Sequence, residues 1–331
     1  MTTKTKILVI NSDRIFLNKI KQQLPPDYTL VISSDLAEAE LLQHTRDIEI
    51  IISLSVSTKL IVSAPKLKMI QSIGSGVDGI DIDTATEKGI IVCSTTGLNA
   101  VPTAEHAMSL ILALAKNIRK YDAEIRRKRW QSISHSVSML NKKTLGIVGL
   151  GSIGVEVAKR AQAFGMKILA IKRLPSEELR KKLNIEFLGG PDDLHRILKE
   201  SDFILLSLVL TPETEKMIGE KELRMMKPSA YLVNISRGKV IDEAALIKVL
   251  SAKLIAGAGL DVFVDEPIKT ESSILKLKNT ILTPHIAGGA WADEIRDKRA
   301  KFIVRNIQRV SEGKKPDKIV DPKLKYVIEN S

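Results

Sequence analysis

Arg237 in NISRG, Glu266 in DVFVDEP and His285 in TPHIAGG each fall where an aliphatic, strand-like run stops. These are side chains that chemistry uses. A guanidinium offers paired, charge-assisted hydrogen bonds to an anion. An imidazole titrates near neutral pH and moves protons. A carboxylate favours a neighbouring positive charge. Singly, each has a plain explanation: a solvated Arg, a surface Glu, a hydrogen-bonded His. Together they suggest a site, because ligands of open parallel sheets bind beyond the carboxyl ends of the strands.

The elements that must position them alternate along the chain. KILVI, TLVIS and IEIIIS are short β-branched runs, continued by KMIQSIG and IIVCS, with helix-period segments such as IFLNKIKQQL and LAEAELLQHT between them. One long helix is expected from Thr103 to about Arg129. A second series follows in TLGIVGLG, KILAIKR, FILLSLV, AYLVNIS, AGAGLDVF and TILTPH, then an amphipathic helix over roughly Ala290 to Glu312. Near-continuous apolar strands separated by helices imply parallel sheets covered on both faces. The expectation is an α/β chain of two Rossmann-like, doubly wound domains. Residues 1–98 with 288–331 form one, and a nucleotide domain of residues 99–287 is inserted into it. The polar tail GKKPDKIVDPKLKYVIENS carries an apolar YVI able to dock.

Bulk properties narrow the classes. At 331 residues the chain exceeds one ordinary domain, and with aromatics at 4% its core must be aliphatic. No apolar run approaches the roughly 20 residues of a membrane helix. MTTKTKILVI lacks the apolar stretch and cleavage site of a signal peptide. No membrane partner and a cytoplasmic location are therefore expected. Cys93 is the single cysteine, so no intrachain disulfide forms and no metal site is expected. The net charge of +12 suits small anions drawn to a cleft. The cations are spread along the chain and stacking aromatics are few, so nucleic acid is not an expected partner.

G-x-G-x-x-G occurs twice. Gly149, Gly151 and Gly154 follow the strand-like TLGIV and open a helix-like SIGVEVAKRAQAFG. That is the strand–turn–helix of a dinucleotide cradle, with pyrophosphate at the helix N-terminus. The other match, Gly74 to Gly79, is followed by IDIDTATEKG, a poor helix opener. It reads either as a loop at a sheet edge or as a nest, in which N–H groups of Ser75, Gly76 and Val77 bind a small anion. About twenty residues past the first cradle glycine, a dinucleotide unit normally places an Asp or Glu on the ribose hydroxyls. KILAIKRLP places Lys172 and Arg173 there. A carboxylate repels the 2′-phosphate of NADP and a cation attracts it. One charge-assisted hydrogen bond contributes about 1.5–3 kcal/mol. NADP(H) is therefore the expected cofactor, with NAD(H) possible if the two cations are merely solvated.

The stretches GSGVDGID, NAVPTAEHAMSLILALAK, TLGIVGLGSIG, LTPETEKMIGEKELRMMKPSAYLVNISRGKVIDEAAL, AGAGLDVFVDEP and TPHIAGG occur in this order over nearly the whole chain. In them the chain resembles the D-isomer-specific 2-hydroxyacid dehydrogenases. The resemblance implies two Rossmann-like domains around a cleft, a homodimer, and reduction of a small anionic 2-oxo acid; the basic segment Lys116–Trp130 reads as the solvated end of a long helix or, by the resemblance, as part of the dimer interface. Arg237 would bind the substrate carboxylate and polarise the carbonyl, His285 would give the proton, and Glu266 would raise the pKa of His285. The loop Ile73–Val77, with Ser75, Gly76 and Val77, would hold the carboxylate through amides. Gly149, Gly151, Ser152, Ile153 and Gly154 would cradle the pyrophosphate. Asp261 would hold the nicotinamide carboxamide, with Pro212, Ile235 and Gly288 lining the cofactor. Glyoxylate and hydroxypyruvate are the expected substrates. The alternatives are a 3-phosphoglycerate dehydrogenase, a phosphite oxidiser, or a non-catalytic NAD(P)(H)-sensing protein of the corepressor type. A formate dehydrogenase is disfavoured, since those enzymes carry Gln where Glu266 stands.

Overall fold

The computed structural model describes residues 4–11, 13–33, 38–130, 137–290, 292–323 and 327. The chain divides into two compact units, Met1–Asn99 with Gly289–Asn330, and Ala100–Gly288. Among the described residues, no helix is long and apolar enough to cross a membrane.

The first unit contains β1 (Thr5–Ile10), β2 (Tyr28–Ser33), β3 (Ile50–Ser53), β4 (Ser55–Val56), β5 (Met69–Ser72), β6 (Gly79–Ile80) and β7 (Ile91–Cys93). Five of them form a parallel sheet in the order β2-β1-β3-β5-β7, and β4 pairs separately with β6. The strand centres are runs of consecutive apolar residues because both faces are covered. Leu8, Ile51 and Ile70 face one cluster, with Ile61 and Ala85. Ile7, Val9, Ile50 and Ile52 face the other, with Phe16, Ile20, Ile303 and Ile307. Asp13 caps the helix Arg14–Gln23, accepting from the N–H groups of Ile15 and Phe16. The same carboxylate takes Nε of Arg296 at 2.8 Å, which fastens the C-terminal helix Asp293–Ser311 to the first one. Burial pushes the Asp13 pKa up, but the Arg296 bond and the helix N–H groups outweigh it and hold the acid below its usual value. Cys93 is buried at the end of β7, and burial together with the Asp317 charge pushes its thiol up to about 12. Of the tail's apolar run, Val327 is buried in the cluster of Leu8, while Tyr326 and Ile328 lie outside the described residues.

The second unit contains β8 (Thr144–Val148), β9 (Lys167–Ile171), β10 (Phe187–Gly189), β11 (Phe203–Leu206), β12 (Tyr231–Asn234), β13 (Gly257–Leu260) and β14 (Thr280–Leu282). All are parallel, in the order β10-β9-β8-β11-β12-β13-β14. The strand order reverses between β8 and β11. In a doubly wound sheet, that switch point opens the crevice that ligands use. Leu145, Ile147, Phe203 and Leu205 pack on one face, and Val148, Ile204 and Leu206 on the other, as the two-residue period of a strand requires.

Besides the short strands β4 and β6, which were not expected, three elements differ from the sequence-based expectation. The stretch expected as one helix from Thr103 to Arg129 is two, Ala100–Ala115 and Ile118–Arg126. The break is at Asn117, whose φ of 50° is left-handed, a conformation short polar residues tolerate. The first helix buries Ala104, Ala107, Ile111 and Leu114, whereas the second buries none of its residues. Secondly, a helix does follow the Gly74–Gly79 loop, over Ile82–Glu87, because Asp81 caps it through the N–H of Thr84 at 3.1 Å. Thirdly, β10 was not foreseen, since its three residues run into Gly190 and Pro191.

Candidate active site

His285 lies three residues past β14, in a turn held together from below. Its φ is 51°, and its backbone N–H donates to the carbonyls of Asp261 at 2.8 Å and Thr283 at 3.1 Å. A non-glycine residue in this region is strained by roughly 1–2 kcal/mol, so the surroundings must hold it. Asp261, just beyond β13, does so. Its Oδ1 accepts the Thr283 hydroxyl at 2.6 Å and the Ile286 N–H at 3.0 Å, and Oδ2 accepts the Ala287 N–H at 2.9 Å. Asp261 is fully buried. Burial pushes its pKa up, but bonds from His106, Thr283, Ala287 and Ile286 prevail and keep it a carboxylate.

The His285 ring is half exposed, and its Nδ1 lies 2.6 Å from Oε2 of Glu266. Oε1 of Glu266 accepts the Phe263 N–H at 2.9 Å, which fixes the carboxylate plane. The Glu266 hydrogen bond raises the His285 pKa, and outweighs burial and the Arg237 charge, which both lower it. Burial pushes Glu266 up, but the His285 and Phe263 bonds bring it below its usual value. The pair is therefore biased towards imidazolium and carboxylate. Nε2 of His285 has no hydrogen-bond partner among the described residues, so the ring can present a proton there. Arg237 follows β12, where Asn234 accepts from the Ser236 N–H and hydroxyl and donates to the Arg237 carbonyl at 2.9 Å. Its Nη1 donates to the Ser236 carbonyl at 2.8 Å. Its charge reaches both His285 and Glu266. A guanidinium beside an imidazolium is suited to an anionic substrate that takes up a proton.

At the switch point the residues fit a dinucleotide. Gly149 has φ 102°, and a Cβ there would meet the Ser207 carbonyl oxygen at 2.6 Å. A Cβ on Gly154 would meet the Gly149 carbonyl oxygen at 2.6 Å, so the helix can approach the turn only as glycine. Gly151, which has no side chain to cap with, precedes the helix Ser152–Ala163, and a helix N-terminus of this kind suits phosphates. Ile153 packs against the core below. Lys172 and Arg173 follow β9. Lys172 is half-buried with its N–H on the Gly189 carbonyl at 3.0 Å, and Arg173 is exposed. Glu213 is held below its usual pKa first by a bond from Thr211, and also by the Arg173 charge. Pro212 is exposed in the turn beside it, Ile235 is buried after β12, and Gly288 follows the His285 turn. Asp261 has no accessible surface.

Ser75, Gly76 and Val77 belong to the first unit. The carbonyls around them are taken up. Ser72 Oγ donates to Gly76 at 2.9 Å, Thr95 Oγ1 to Ile73 at 2.9 Å and Thr96 Oγ1 to Ser75 at 3.3 Å. The Thr95 N–H takes the Gly74 carbonyl at 3.0 Å. Among the described residues, the N–H groups of Ser75, Gly76 and Val77 have no backbone acceptor. Such a loop can act as an anion nest. Sequence reasoning missed Ser72, Thr95, Thr96, His106 and Thr283. The only signal available was that they stand inside or beside the motifs already noted.

Residues 108–287 match the family model of the D-isomer specific 2-hydroxyacid dehydrogenase NAD binding domain. The chain belongs to the D-isomer specific 2-hydroxyacid dehydrogenase family. As a dehydrogenase of this family it is an oxidoreductase that binds a nicotinamide nucleotide. It is 43% identical to a glyoxylate reductase of Thermococcus litoralis, over 85% of this chain and 86% of that one. It is 37% identical to a D-3-phosphoglycerate dehydrogenase of Methanocaldococcus jannaschii, over 88% of this dehydrogenase but 55% of that protein. Among solved structures, the NADPH-dependent glyoxylate/hydroxypyruvate reductase of Sinorhizobium meliloti, in complex with NADP and malonate, superposes with a TM-score of 0.83 at 27% identity, covering 99% of this chain and 100% of that one.

Proposed function

We propose that this dehydrogenase reduces a small 2-oxo acid of the glyoxylate or hydroxypyruvate type to the D-2-hydroxy acid, with NADPH preferred to NADH. The observation that carries this reading is the His285–Glu266 pair at 2.6 Å, with the Arg237 charge beside it. It is supported by the likeness to glyoxylate reductases.

In this mechanism the first unit is the substrate domain, with the N–H groups of Ser75, Gly76 and Val77 as its carboxylate-binding nest, and Arg237 is the carboxylate-binding cation of the second unit. Arg237 also polarises the 2-oxo oxygen. The hydride comes from the nicotinamide nucleotide when that is bound. His285 releases a proton from Nε2 to the oxygen as charge develops there, and Glu266 steadies the imidazolium before transfer. General acid catalysis of this kind contributes about 10²- to 10⁴-fold in rate. Gly149, Gly151, Ser152, Ile153 and Gly154 hold the pyrophosphate. Asp261 would hold the nicotinamide carboxamide, and Pro212, Ile235 and Gly288 would line the cofactor. Lys172 and Arg173 select a 2′-phosphate, and of the two Arg173 has a carboxylate neighbour, Glu213, to displace. The enzyme acts in the cytoplasm as a homodimer.

The test is to follow nicotinamide oxidation with NADPH and NADH across a panel of 2-oxo acids, 3-phosphohydroxypyruvate included. Glyoxylate and hydroxypyruvate should turn over fastest, with higher kcat/KM for NADPH, and Arg173→Ala or Lys172→Asp should narrow or reverse that preference. Equal efficiency with both nucleotides would remove the cofactor assignment. Fastest turnover of the phosphorylated acid would indicate the phosphoglycerate reading, and tight nucleotide binding without turnover a sensor. His285→Ala and Arg237→Ala should each abolish most turnover in a folded protein.

A further inference from the structure

Asp261 lies beneath the turn that carries His285. From the helix Ala100–Ala115, His106 reaches the same carboxylate. Its Nε2 is 3.0 Å from Thr283 Oγ1 and 3.4 Å from Asp261 Oδ1. The Thr283 hydroxyl gives its one proton to Oδ1 at 2.6 Å. Its oxygen must then accept, so Nε2 of His106 is the donor and carries the ring proton. His106 is mostly buried, with 18% of its side chain accessible.

We propose that His106 is a positioning residue for proton transfer, acting through Thr283 and Asp261 on the turn that holds His285. The proposal rests on His285 being the proton donor. Asp261 accepts from the N–H groups of Ile286 and Ala287, the two residues after His285. Its orientation therefore sets the path of the turn. The Thr283 hydroxyl and the Ile286 N–H fill Oδ1, and His106 fixes the direction of that hydroxyl, so the carboxylate has one satisfied orientation rather than several. Without His106, the half-buried Thr283 oxygen loses its donor and its hydroxyl is no longer fixed toward Oδ1. A buried group left unsatisfied is destabilising beyond the value of the bond itself. The left-handed backbone of His285 then loses part of what holds it. The charged groups facing the His285 ring are Glu266, Arg237 and Asp261, and none of them is altered by changing His106.

The test compares the parent enzyme with His106→Leu, His106→Gln and Thr283→Val. It measures kcat and KM, together with amide hydrogen exchange at Ile286 and Ala287 in the cofactor-free protein. His106→Leu should lower kcat about tenfold, equivalent to about 1.4 kcal/mol, with KM changed less than kcat. Exchange at the two amides should rise by about the same factor. His106→Gln places an amide nitrogen near the site of Nε2 and should restore both. Thr283→Val should reproduce the defect, and combining it with His106→Leu should add little, as expected for residues acting as one unit. Parent-like kcat and exchange in His106→Leu would overturn the proposal. So would a loss that Gln does not rescue and that comes with faster exchange throughout β8 to β14, since His106 would then be a core residue only. If His285→Ala retains turnover, it is the assignment of His285 that fails, and the exchange measurement still decides whether His106 holds the turn.

Discussion

In the proposed mechanism, proton transfer from His285 is tuned by the 2.6 Å bond to Glu266. That bond raises the imidazole pKa, so the imidazolium survives to higher pH than in a free histidine. In that mechanism, reduction uses the protonated ring. Its kcat/KM should therefore be flat below the raised pKa and fall as pH increases through it. Oxidation of the hydroxy acid uses the neutral ring and should run the opposite way. Glu266→Gln removes the largest cause of the shift, so the falling limb of the reduction profile should move to lower pH. A limb that stays in place in this variant would show that another group titrates there. The residue types at the site were legible in the sequence, since Arg237, Glu266 and His285 are conspicuous at strand ends. Their supports were not. Thr283 and Asp261 are 22 positions apart, and His106 is 177 positions from Thr283, so only folding brings them together.

Among elements, the join between the helices Arg14–Gln23 and Asp293–Ser311 depends most on a single side chain. Asp13 serves both as N-cap and as partner of Arg296, which is almost wholly buried. Asp13→Ala removes the cap, a loss of about 0.5–2 kcal/mol, and takes from Arg296 the nearer of its two carboxylates, Asp293 remaining at 3.4 Å. Asp13→Asn keeps the cap and should lose less. Denaturant unfolding measures both, and equal stabilities would contradict the dual role. The Asp13 pKa is lowered in the fold, so its stabilisation is present above the unfolded-state pKa and is lost as pH falls through the folded one. Strand and helix identities were readable from apolar periodicity. The break at Asn117 was not, because apolar and basic residues continue across it at helical spacing and only the φ of 50° reveals it. The cap at Asp81 was also obscured, by a polar run that resembles a loop.

For the whole molecule, the parallel two-sheet architecture was legible because buried strands are apolar at consecutive positions. The assembly was not. The helix Ile118–Arg126 buries none of its own residues, and Ile118, Ile125 and Trp130 are 56%, 43% and 77% exposed. An apolar strip set among lysines and arginines suits a second copy of the chain. Sedimentation should find a dimer that Ile118→Asp with Ile125→Asp dissociates, and a parent monomer would place the homodimer assignment in error. The solitary Cys93 has a different consequence. Sealed at the end of β7 with its thiol pushed up to about 12, it is chemically mute while the first unit stays closed. The protein thus carries one native reporter of its own opening. A thiol reagent should label the denatured chain at once, and the intact enzyme only as fast as that unit unfolds. Labelling rates measured without touching the active site would then time the breathing of the half of the molecule that β7 belongs to.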